Sequence, residues 1–234
     1  MPLYYMNWES RDRWSRVRSV SVSYTHLILG GTFDPIHNGH LALGKQAYEE
    51  FGLERIWFMP SGTPPHKKDH RITEGKMRRD MVMLAIADIP CFLYSDFEME
   101  RKGNTYTAQT LTLLKKERGE DEFYFIIGAD SLYEIEHWYH PELVMGQAVL
   151  LVAGRAYKTR HRTMEEQIAY LSHKYGAVIY PIHCPQMDVS SEKIRSAVAE
   201  GLSISGLVPE PVEEYIRSHG LYTDNVLQCQ YEDA

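Results

Sequence analysis

The stretch Gly30-Gly31-Thr32-Phe33-Asp34-Pro35-Ile36-His37-Asn38-Gly39-His40-Leu41 constrains this chain more than any other. Leu27-Ile28-Leu29 before it reads as the end of a buried strand. After it, Leu41, Gly44, Tyr48 and Phe51 recur at helical spacing, and Gly52 stands where a helix stop is expected. The pattern is therefore strand, glycine-bearing turn and helix start, with His37 and His40 at the junction. Asn38 is a good N-cap, which would put Gly39 and His40 in the first turn. Amide N–H groups there lack intrahelical partners, and the helix dipole presents its positive end. Such a junction attracts phosphate; glycines let a ligand approach the backbone, and two imidazoles can donate to phosphoryl oxygens.

A chain of 234 residues, 44% apolar and 24% charged, is long enough for one substantial core, and no repeat or linker divides it. No apolar run approaches the length of a membrane span, so a membrane partner is not expected. The net charge of −7 argues against a general nucleic-acid binder but allows a local site for small phosphorylated ligands. Cys91, Cys184 and Cys229 are scattered, with no metal-ligand spacing, which fits a reducing cytoplasm better than a disulfide framework. Residues 1–23 carry Trp8, Trp14 and four arginines without a secretory apolar core. They read as a disordered extension or as sequence foreign to the protein, followed by a domain over 24–222 and a tail over 223–234.

Short apolar strands are expected at Arg55–Met59, Cys91–Tyr94, Phe123–Ile127, Ala148–Val152 and Val178–Tyr180. Helices are expected from Thr73, with Met77, Met81, Leu84 and Ala85 on one face, from a Thr107 cap to Gly119, and over Met164–Tyr175. Ser61 to His70 reads as an exposed loop. Continuous apolar strands separated by helices imply α/β architecture, a doubly wound parallel sheet covered on both faces. Its ligands would sit beyond the carboxyl ends of the strands. Val189-Ser190-Ser191-Glu192-Lys193-Ile194-Arg195 opens a further helix capped by Ser190 or Ser191, with Ile194, Val198 and Leu202 facing inward. Taken alone it is an ordinary capped helix with a solvated Arg195.

The twelve-residue string resembles the signature of HxGH nucleotidyltransferases, and its long form is similar to that of bacterial nicotinate-nucleotide adenylyltransferases. The resemblance runs from about residue 25 to residue 222 and implies a single Rossmann-like nucleotidyltransferase domain with a small C-terminal helical part. It implies catalytic roles for His37 and His40 on the α- and β-phosphates. ATP would be bound by Gly30, Gly31, Thr32, Phe33, Lys67 in Pro64-Pro65-His66-Lys67, Asp130 at the ribose, and Ser190, Ser191 and Arg195 at the triphosphate. The family has Thr where this chain has Glu192. Nicotinate mononucleotide would be held by Thr105, Tyr106, Thr107 and Trp138 around the pyridine ring, and by Arg155 at its phosphate. Core packing is the plain alternative for Trp138, and a helix N-cap for Asp130.

The implied reaction is adenylyl transfer from ATP to nicotinate mononucleotide, giving deamido-NAD and pyrophosphate in NAD biosynthesis. Mg²⁺ would ride mainly on phosphate oxygens and water, with no dedicated protein metal site. Pantetheine-phosphate adenylyltransferase, a cytidylyltransferase and a silent nucleotide-binding module are the alternatives. The sequence leaves a homo-oligomer and the protonation state of His40 open.

Overall fold

The computed structural model describes residues 24–62, 72–101, 103–154, 162–184 and 187–223. Residues 1–23, the Pro64–Lys67 stretch, Arg155 and most of the tail lie outside them. Strands β1 (Thr25–Gly31), β2 (Arg55–Pro60), β3 (Phe92–Tyr94), β4 (Glu122–Gly128), β5 (Val149–Ala153) and β6 (Ile179–Ile182) form one sheet. Its order is β3-β2-β1-β4-β5-β6 and every pairing is parallel, the doubly wound arrangement expected. Helices are α1 (Asn38–Phe51), α2 (Gly75–Ile86), α3 (Thr107–Arg118), α4 (Ala129–Glu134), α5 (Pro141–Gln147), α6 (Met164–Tyr175), α7 (Ser191–Ala199) and α8 (Glu210–Ser218). None of the described helices is long and apolar enough to cross a membrane.

Two cores follow from the two-residue period of the strands. Leu27, Leu29, Ile56 and Phe58 pack on one face with Ala47, Met81, Ile194, Val212 and Ile216 from α1, α2, α7 and α8. Ile28, Trp57 and Met59 point the other way, onto Leu111, Leu132, Val144 and Leu171 from α3, α4, α5 and α6. Each fully buried aliphatic side chain contributes about 1.5–3 kcal/mol relative to exposure.

Several local expectations are corrected. The cap of α1 is His37, not Asn38; Asn38 is the first helical residue, and its amide and side chain donate to Leu207 O (2.9 Å) and Gly206 O (2.8 Å). Tertiary contacts with the Gly206–Leu207 segment thus hold Asn38 inside the helix. Thr107 likewise begins α3 rather than capping it, the cap being Tyr106. The inward face of α2 is Arg78, Met81, Val82, Ala85 and Ile86, and Leu84 is 38% exposed. Leu202 is 59% exposed, because α7 stops at Ala199 and Gly201 turns the chain with φ +70°. Helices α4 and α5, with a 3-10 turn at Ile135–His137 between them, were not expected from the sequence.

At the amino edge of the sheet His26 is buried, its ring stacked on Trp57 at 4.3 Å and its Nε2 2.7 Å from Asp121 Oδ2. Burial pushes the imidazole below its ordinary range, outweighing the upward pull of Asp121; Arg118 adds to the lowering and Glu54 opposes it. The unfolded chain therefore takes up a proton that the folded chain resists, and stability falls as pH drops through the ordinary imidazole range. Urea denaturation is expected to show this loss between about pH 7 and about pH 5, and His26→Gln to flatten it. Equal pH slopes in the two proteins would remove His26 as its source.

Candidate active site

The carboxyl edge of the sheet opens at one place. β1 pairs with β2 through its last residue, Gly31↔Pro60, but its pairing with β4 ends at Ile28↔Phe125. β1 and β4 therefore part before β1 ends, where the strand order reverses, and a crevice at such a switch point is where doubly wound folds bind ligands. The histidine-bearing turn leaves β1 at this point.

Glycines in the turn make room for side chains. A Cβ on Gly30 would lie 3.2 Å from the Phe125 ring, and one on Gly31 3.2 Å from Phe33. On Gly39 it would lie 2.8 Å from Val189 Cγ1 and 3.1 Å from the His37 ring. The space beside each of these Cα atoms is also filled by packing. Phe33 takes φ +49°, is 2% exposed, and meets the His40 ring edge-on at 5.0 Å. Its side chain belongs to the core.

His37 and His40 stack with ring centroids 3.7 Å apart. The His37 amide donates to His40 Nδ1 at 3.2 Å. An amide can only donate, so His40 Nδ1 is the acceptor, and the neutral ring carries its proton on Nε2. The helix cap thus assigns the tautomer of the neutral His40 ring. His40 is half-buried, whereas His37 is only 7% exposed.

The segment distant in sequence closes on the same turn. Ser190 caps α7, accepting from Lys193 N at 3.2 Å. Ser191 Oγ donates to Pro35 O at 2.8 Å, and Arg195 Nη1 to Asp34 O at 2.7 Å. Val189, just before them, packs over Gly39. The two half-sites expected from separate motifs are thus one unit, with Arg195 bound to the turn rather than solvated. Glu192, in the first turn of α7, is exposed. Asp34 is buried, accepting from Thr73 N at 3.2 Å and Tyr222 OH at 2.7 Å, so the last described residues also fasten to this turn. Burial and the Asp34 charge hold the Tyr222 phenol far above its ordinary range.

Of the remaining candidates, Asp130 is exposed in the first turn of α4, whose cap is Gly128; the N-cap alternative for Asp130 does not hold. Thr105 is buried, and its Cγ2 lies 3.5 Å from where a Cβ on Gly62 would stand, which sets it against the end of β2. The Tyr106 ring lies 4.6 Å from Tyr139, the neighbour of Trp138, while Trp138 itself is half-buried against the second core. The start of α3 and the end of the 3-10 turn thus meet through Tyr106 and Tyr139. Lys67 and Arg155 lie outside the described residues. Sequence reasoning missed Arg78, which is 2% exposed and donates to the carbonyls of Thr32 and Ser61 at the ends of β1 and β2. Its signal was present: Met81, Val82 and Ala85 follow it by three, four and seven residues, the spacing of one helix face.

A parallel sheet with two imidazoles at its switch point is the architecture of a nucleotidyltransferase, and residues 28–197 match the cytidylyltransferase-like family. The chain is 48% identical over 195 residues to a Lachnoclostridium phytofermentans protein named "probable nicotinate-nucleotide adenylyltransferase", covering 83% of this chain and 97% of that one. A Moorella thermoacetica protein of the same name is 41% identical over 196 residues, covering 83% and 90%. The chain belongs to the nicotinate-nucleotide adenylyltransferase family. The fold is shared with a Plasmodium falciparum nicotinic acid mononucleotide adenylyltransferase complexed with NaAD, at TM-score 0.69 and 22% identity over 85% of this chain and 97% of that one.

Proposed function

We propose that the protein transfers the adenylyl group of ATP to nicotinate mononucleotide, releasing pyrophosphate and forming deamido-NAD for NAD biosynthesis in the cytoplasm. The observation that carries this reading is the convergence of His37, His40, Ser191 and Arg195 on one turn at the switch point of the sheet. A phosphate oxygen of the mononucleotide attacks the α-phosphorus of ATP; the bond from that phosphorus to the bridging oxygen breaks, and pyrophosphate leaves with the electron pair. A phosphate monoester, with second pKa near ~6, is already largely dianionic at neutral pH, so no general base is needed. The task is to bring anions together and stabilise the charge that builds on the leaving group.

In this reading His40 Nε2–H donates to an α-phosphate oxygen as a neutral donor, and His37 supports it and meets the β-phosphate by its edge. Thr32, Phe33, Gly30 and Gly31 contribute backbone, Ser190 and Ser191 the start of α7, and Arg195 its remaining guanidinium donors. Asp130 receives the ribose hydroxyls, while Thr105, Tyr106, Thr107 and Trp138 hold the pyridine ring. The family resemblance adds Lys67 and Arg155 as phosphate contacts. The donors at the turn are imidazole, hydroxyl and guanidinium groups, and no three acidic, histidine or cysteine side chains converge among the described residues. That set suits phosphate oxygens rather than a hard cation, so Mg²⁺ fits on the triphosphate and water. When bound there it offsets triphosphate charge.

Pyrophosphate release by purified protein tests the reading. ATP with nicotinate mononucleotide is expected to be the productive pair; CTP in place of ATP, or phosphopantetheine in place of the mononucleotide, should be at least about a hundredfold slower, the scale on which a site rejects a substrate lacking its polar partners. Faster turnover with either replacement would overturn it.

A further inference from the structure

Arg78 carries a charge into the interior. It lies on the buried face of α2, and among the described residues it forms no direct ion pair. Its donors go instead to main-chain oxygens: Nε to Thr73 O at 3.0 Å, Nη1 to Thr32 O at 2.7 Å and Ser61 O at 2.9 Å, and Nη2 to Gly62 O at 3.2 Å. Asp34 is the principal opposing charge acting on it, and burial still pulls the guanidinium below its ordinary range. Burying a cation on neutral acceptors carries a desolvation cost, which the four carbonyl hydrogen bonds offset.

Three of the four carbonyls adjoin segments that the proposed chemistry uses. Thr32 precedes Phe33, whose left-handed backbone turns its ring onto His40. Gly62 lies under the other substrate's segment: a Cβ there would stand 2.6 Å from Glu98 O and 3.5 Å from Thr105 Cγ2. Thr73 donates its amide to Asp34, inside the histidine turn itself. One planar fork therefore ties the turn beneath His40 to the strand end against which Thr105 packs.

We propose that Arg78 is a positioning residue that sets the spacing between the two substrate halves, holding the histidine turn and the Thr105 segment in register for in-line attack. The proposal rests on the adenylyl-transfer reading above. Lysine cannot replace arginine here, because an ammonium offers a single point of donation in place of a fork that reaches four acceptors. Each substrate has contacts of its own, so a loosened register should leave separate binding nearly intact and slow their combination. A misplacement of about 1 Å is enough to lower turnover ~10²-fold.

The test compares wild type with Arg78→Lys, well below the melting transition, in turnover and in separate affinities for a non-hydrolysable ATP analogue and for nicotinate mononucleotide. The expected result is a cooperative melt, turnover lowered ~10²-fold, and each dissociation constant within about threefold of wild type. Turnover within threefold, or a turnover loss matched by an equal loss of affinity for either ligand, would overturn the proposal. Should Arg78→Lys fail to fold, Gly62→Ala displaces the same strand end with the guanidinium in place; it is expected to give the same split, and wild-type turnover in it would be equally fatal. A wild-type protein that releases no pyrophosphate from the two substrates would sink the adenylyl-transfer reading instead, so the two failures are distinct.

Discussion

His40→Ala is expected to lower turnover by about 10²–10³-fold, the scale of losing one preorganised donor to a transition-state oxyanion, while the fold survives. The reasoning is local. His40 lies in the first turn of α1, outside both buried cores, and its Nδ1 takes the His37 amide. Removing the ring frees one amide at a partly exposed helix start, a loss of about 0.5–2 kcal/mol that a domain of this size tolerates. The Nε2–H donor disappears with it. Steady-state kinetics with both substrates saturating, alongside a thermal melt, measures the two effects separately. Turnover within a few-fold of wild type would take His40 out of the mechanism.

Gly39→Ala is expected to be nearly as damaging by a different route. The added methyl would stand 2.8 Å from Val189 Cγ1 and 3.1 Å from the His37 ring, so α7 must back away or the ring must move. Overpacking of this kind destabilises by about 1–3 kcal/mol. Either response separates Ser191 and Arg195 from the turn or breaks the stack of His37 on His40, and turnover should fall ~10²-fold. The distinguishing sign is a lowered melting temperature together with the kinetic loss, which His40→Ala should not share to the same degree. A Gly39→Ala protein with wild-type melting and turnover would mean that the contact between the two half-sites carries neither.

Much of this site is written locally in the chain. The strand, the turn and the helix start around Gly30–Leu41 are short-range features, and the C-terminal glycine of α1 appears where its spacing puts it, at Gly52 with φ +60°. The remote Ser190–Arg195 segment could be recognised as a helix start because Ser190 is a good cap, and it is one. What the sequence hides is set by tertiary contacts. Asn38 has the right side chain for a cap, but contacts with Gly206 and Leu207 accompany its place as the first helical residue, and His37 stands at the cap. Arg78 escaped because a charged residue counts as outward in a periodicity reading; admitting it to the face rotates α2 so that Val82 and Ile86 turn in and Leu84 turns out. The parting of β1 from β4 after Ile28 depends on the sheet as a whole and has no local signature. Helices α4 and α5 are brief, and Pro141 follows a His140 with φ +49°, a break that reads as loop in sequence.

Contact between the two imidazoles and ATP phosphates is tested most directly by heteronuclear NMR of the histidine ring nitrogens during titration with a non-hydrolysable ATP analogue. The expected result is a saturable shift of the His40 Nε2 resonance, a smaller one for His37, and a His40 ring that stays in the Nε2–H form set by the His37 amide. His40 and His37 signals that stay fixed while the analogue saturates the protein would contradict it.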